Sequence, residues 1–147
     1  MAAVHKWLWV RLGIVAAAVP GGLSFASPET VKTSNVDWWA CLALVFGVPV
    51  AVLFVVGIQA LNPWSAPTWR KPSWTVNPFD FSQPLQSLHV TSFFFLAGGV
   101  AAFSSLPFHG WSGAPLAVSL VSIGAGSWVG VWLCVWCFRH KLVRDDT

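Results

Sequence analysis

Long apolar runs alternate with short polar connections along this chain, and that alternation restricts the fold more than any other feature. The runs cover residues 7–27, 38–61, 87–106 and 115–138, each close to the ~20 residues an α-helix needs to cross a bilayer. Backbone in hydrocarbon must satisfy its own polar groups, so apolar runs of this length read as helices. Only 9% of residues are charged, against about 25% in soluble domains, which is too little polar surface to cover a globule in water. The expected fold class is therefore all-α: one multi-pass transmembrane helical bundle over residues 1–147 with four spans. Four such spans with short connections fill the 147 residues, so no soluble catalytic module is expected.

The longest connection, residues 62–86, carries Pro63, Pro67, Pro72, Pro78 and Pro84, which bar an ordinary helix or central strand. Trp64, Trp69, Trp74 and Phe79 lie between the prolines, with Arg70 and Lys71 in the middle. The composition suits a loop on a membrane face, with rings at headgroup depth and charges in water. Asn62-Pro63-Trp64 and Asn77-Pro78-Phe79 repeat a turn-starting signal. The prolines lower the entropy lost on ordering, so the loop is expected to form a pinned aromatic surface able to receive a partner protein.

The basic residues orient the chain. With four spans, Lys6, Arg11, Arg70, Lys71, Arg139, Lys141 and Arg144 share one side and only Lys32 lies opposite. By the positive-inside rule, both termini and the central loop face the cytoplasm, which places the chain in the inner (cytoplasmic) membrane. A pI near 9.1 can also signal nucleic-acid binding, but these charges sit in small groups beside apolar runs, so no nucleic-acid partner is expected. Arg11, one turn inside the first run, is expected to snorkel to the headgroups. The first run also reads as a signal peptide, with a basic start and a small-x-small site at Ser24-Phe25-Ala26. A retained span is the expectation, and the remaining spans keep their orientation in either case.

Small residues mark the faces where helices can approach closely. Ala43, Gly47 and Ala51 recur every fourth residue in the second run, and Ser122, Gly126, Gly130 and Cys134 do so in the fourth. In the third run, Gly98 and Ala102 follow the bulky Phe93-Phe94-Phe95 block. Trp128, Trp132 and Trp136 form a second stripe on the fourth run, about 200° from the small one at ~100° per residue. That stripe is expected to face lipid.

Candidate chemistry is sparse. Cys134-x-x-Cys137 has dithiol spacing but sits at a helix C-terminus, where the dipole and lipid disfavour thiolate. Adding His140 makes a weak soft-metal candidate, because three-residue steps drift ~60° round a helix and cannot all turn inward. No metal site and no cofactor are therefore predicted. Glu29, Asp37, Asp80, Asp145 and Asp146 all fall in connections or the tail, so no span carries a carboxylate for proton or ion transfer. The expected role is an accessory or assembly subunit without catalysis of its own, partnered by membrane lipid and by other membrane subunits or its own copies. The alternative is a small transporter, channel or quinone-handling redox subunit for an uncharged ligand, with Thr91, Ser105, Ser119 and Ser122 as its polar lining.

Overall fold

The computed structural model describes residues 2–25, 38–61, 69–79, 81, 83–111 and 114–142. Four α-helices account for most of them: α1 (Ala2–Phe25), α2 (Trp38–Leu61), α3 (Pro84–His109) and α4 (Ala114–Cys137), followed by a 3-10 turn over Arg139–Lys141. Among the described residues, α2, α3 and α4 are long and apolar enough to cross a membrane.

The helix ends differ from the sequence expectation at prolines. Pro84, expected in the loop, starts α3 directly after the extended Gln83. Its fixed φ is already helical, and its missing N–H is one that a first turn leaves unpaired anyway. At the other end, Pro107 lies inside α3, and the helix stops only at Gly110. Gly110 has φ +73°, a conformation that favours glycine, and its N–H donates to the Leu106 carbonyl at 2.8 Å. Pro20 and Pro49 are likewise carried within α1 and α2.

The bundle takes the form of an open row. α1 packs on α3, α3 on α4 and α4 on α2, giving the spatial order α1, α3, α4, α2. The central position of α4 follows from two glycine faces. Gly124 and Gly126 are two residues apart, about 200° round the helix, so they open opposite sides of it. A Cβ on Gly124 would stand 2.8 Å from the Leu96 backbone nitrogen and 3.0 Å from the Ser92 carbonyl oxygen, so α3 lies against backbone there. On the other side, a Cβ on Gly126 would meet Pro49 and Val48 at 3.2 Å, and one on Gly130 would meet Val52 at 2.8 Å. Ser122, Gly126 and Gly130 are all buried, as their spacing predicts. In α3 the tightest glycine is Gly99, against Val121, while a Cβ on Gly98 would lie at an ordinary 3.8 Å from Leu120 and Ala102 is half-buried.

The small row of α2 has a different fate. Ala43, Gly47 and Ala51 are exposed, and nothing lies within 4 Å of a Cβ built on Gly47. Within the chain, α2 instead gives α4 its Val48, Pro49 and Val52 face. The apolar stretch of α2 is 17% buried against 44% for α4, which makes α2 the least covered of the three.

An apolar cluster sits at the loop end of the row. Val52, Val56, Ala60, Trp69, Leu85, Val131 and Cys134 are buried together, joined by Phe138 and Leu142. Trp69 stands edge-on to Phe138 with centroids 6.1 Å apart and forms an isolated parallel bridge with Leu142, tying the loop to the C-terminal segment.

Backbone-limited contacts of this kind relax poorly when overpacked, at a typical cost of about 1–3 kcal/mol. Gly124→Leu and Gly130→Leu are each expected to lower the unfolding midpoint in detergent, followed by circular dichroism. Gly47→Leu is expected to leave the midpoint unchanged.

Candidate functional site

The proline-rich loop carries backbone carbonyls and N–H groups that neither a helix nor a sheet can satisfy. Non-helical backbone in a membrane protein is tolerated where the protein itself supplies partners. Here the partners are side chains of α1 and α3. Arg11 of α1 donates from Nε to the Trp74 carbonyl at 3.0 Å and from Nη2 to the Val76 carbonyl at 3.1 Å. Gln86 of α3 accepts the Ser73 N–H on Oε1 at 3.0 Å and returns Nε2 to the Ser73 carbonyl at 3.3 Å. Local turns complete the segment: Thr75 N–H donates to Ser73 Oγ, and Phe79 N–H donates to Asn77 Oδ1, the turn its Asn-Pro signal predicts.

Arg11 is thus not a snorkelling residue. It is 3% exposed, and its guanidinium lies 5.1 Å from the Trp74 ring centroid and 5.2 Å from that of Phe93. The two carbonyls and the two ring faces take the place of headgroups and water. Trp74 also stacks edge-on to His89, with centroids 4.4 Å apart. His89 is completely buried, and neither of its nitrogens has a hydrogen-bond partner among the described residues. Arg11 Nη1 is also buried without one. No carboxylate answers this charge among the described residues, because Glu29, Asp37, Asp80, Asp145 and Asp146 all lie outside them. Arg11, Trp74, His89 and Phe93 therefore form a cationic, donor-rich cluster under an aromatic cover.

The other loop residues expected at a partner surface divide. Trp69 turns inward and is buried, while Arg70 is exposed. Lys71 is exposed too, with its ammonium 5.6 Å from the Trp132 ring centroid. Phe79 is exposed beside Phe94, and Trp64 lies outside the described residues. On the tryptophan stripe, Trp128 and Trp136 are exposed as expected, but Trp132 is half-buried beneath Lys71 and its indole N–H has no partner. Of the weak metal candidates, Cys134 is buried with Sγ 4.0 Å from the Val52 carbonyl oxygen, whereas Cys137 and His140 are exposed. Among the described residues no three His, Cys, Asp or Glu side chains come together as a metal-binding group. The hydroxyls proposed to line a transport path are largely engaged: Thr91, Ser105 and Ser119 donate to the Ser87, Ala102 and Pro115 carbonyls of their own helices. Ser119 Oγ also lies 3.4 Å from Cys41 Sγ.

Sequence reasoning missed Gln86 and His89 as loop partners and misread Arg11. The available signal was a lone cation in an apolar run, paired with a proline-rich loop whose carbonyls had no donors of their own. It also missed a second open row on α1, where Gly13 and Ala17 are exposed and nothing lies within 4 Å of a Cβ on Gly13 or Gly21. Comparison with known protein families, with curated proteins and with solved structures finds no match.

A buried hydrogen bond to a charged group contributes about 1.5–3 kcal/mol, so Arg11→Leu is expected to free residues 73–76. The measurement is the rate of trypsin cleavage after Arg70 in detergent, which should rise several-fold in Arg11→Leu and to a smaller extent in Gln86→Ala.

Proposed function

We propose that this chain is a non-catalytic subunit of a cytoplasmic-membrane complex, crossing the bilayer four times with both termini and the proline-rich loop on the cytoplasmic side. The seven-to-one division of basic residues supports the orientation. One observation carries the functional reading. Both outer helices of the open row present small-residue rows that nothing among the described residues covers: Gly13, Ala17 and Gly21 on α1, and Ala43, Gly47 and Ala51 on α2.

Lipid tails are as apolar as leucine, so an uncovered aliphatic face needs no partner in a bilayer. Small residues differ, because they forfeit dispersion contacts unless another backbone comes close. Inside the chain, Gly99, Gly124, Gly126 and Gly130 are all used for such approaches. Beside the α2 row, a groove of ≈ 560 Å³ between Phe46, Pro49, Val50 and Val129 offers a seat for a large partner side chain. The partner is a transmembrane helix, of another membrane protein or of a second copy.

Extraction from the native membrane in mild detergent, followed by mass and composition, tests the reading. A stoichiometric membrane partner or a homo-oligomer is expected, and Gly47→Leu or Gly13→Leu should reduce that association while leaving the folded chain intact. A strictly monomeric chain unaffected by either substitution would contradict it. Reporter fusions after Lys141 and after Lys32 check the orientation, with cytoplasmic and external readouts expected respectively.

A further inference from the structure

We propose that Arg11 and His89 form a binding site for a phosphate group presented at the loop-side membrane interface. Three observations converge. Arg11 spends Nε and Nη2 on the loop carbonyls but keeps Nη1 buried and unpartnered. His89 is completely buried with both ring nitrogens unpartnered. Both side chains lie against one ring, that of Trp74, which is itself 37% exposed.

Leaving buried donors unmade is expensive, and leaving a buried cation without an anion more so. Apolar replacements at these positions would avoid both penalties, so a cluster that retains them is matched to an acceptor that is absent among the described residues. The depth fixes which acceptor is at hand. His89 lies in the second turn of α3, close to its loop end, which for a spanning helix is headgroup level. Phosphodiester oxygens are the abundant anionic acceptors there. One phosphate oxygen accepts from Arg11 Nη1 and another from the His89 N–H, while the loop carbonyls keep the guanidinium in place. Trp74 is the gatekeeping side chain: an entering phosphate displaces its ring from His89, and the indole moves to the interface, where tryptophan is at home. This site shares α1 with one of the helix rows proposed for association but uses different residues of it, the buried Arg11 rather than the exposed Gly13 and Ala17.

The decisive variant is His89→Leu. The imidazole makes no hydrogen bond among the described residues, so leucine there should preserve or raise the unfolding midpoint. The experiment is native mass spectrometry of the intact chain released from nanodiscs of phosphatidylglycerol and phosphatidylcholine, with inorganic phosphate and glycerol 3-phosphate added as soluble competitors. Wild type should retain one phospholipid, and His89→Leu and Arg11→Gln should each weaken that retention about tenfold, the loss of one charge-assisted hydrogen bond. Displacement by the soluble competitors would assign the site to a free phosphate compound, and resistance to them would assign it to the lipid headgroup. Equal retention by wild type and a folded His89→Leu, or no retained phosphate of either kind by wild type, would overturn the proposal.

Discussion

The double hydrogen bond from Arg11 to the Trp74 and Val76 carbonyls is the interaction on which the loop end of this protein depends. A chain that sets prolines this densely between two helices creates backbone groups that no helix or sheet can pair. In water those groups would be solvated. Here Arg11 on α1 and Gln86 on α3 supply hydrogen-bond partners to the same short segment. The guanidinium is in turn held by the faces of Trp74 and Phe93. Loop and helices are therefore mutually conditional: neither the carbonyls nor the cation could be buried without the other.

A second constraint acts along the rest of the row. α4 holds the centre because its glycines open two opposite faces, Gly124 toward α3 and Gly126 with Gly130 toward α2. The approach is close enough that neighbouring backbone, not only side chains, sets the spacing. α1 and α2 are left at the ends with one packed flank each. Dispersion and fit are the main attractions between apolar helices in lipid, so the glycine faces decide which helices meet. The uncovered rows at the two ends then stand as the same kind of surface without its counterpart.

Much of this was legible in the residues. The lengths of the apolar runs placed α2 to within its observed bounds and the other helices to within a few residues. The four-residue spacing of Ser122, Gly126 and Gly130 follows a side of α4 that is buried. Pro84 was misassigned because a proline that stops one helix can also start the next, and the outcome depends on which side of it the chain is extended. The loop aromatics were read as an outward layer, yet Trp69 completes the core between Phe138 and Leu142. Composition gives a ring's affinity for an interface but not the direction in which the backbone turns it.

By itself the sequence determined that the chain is helical and membrane-like, because continuous apolar runs of ~20 residues in a chain with 9% charged residues match helices that satisfy their own backbone and are too long for barrel strands. It also marked which positions were small enough for close approach. Only the tertiary structure decided which of those positions are used. Gly126 and Gly130 meet Pro49 and Val52, whereas Gly13, Gly21 and Gly47 meet nothing among the described residues. Likewise only the fold brought Arg11, Trp74 and His89 together from positions 63 and 78 residues apart in sequence counted from Arg11. Periodicity reports the face on which a residue lies; what that face meets is set by the packing order of the helices and the path of the loop between them.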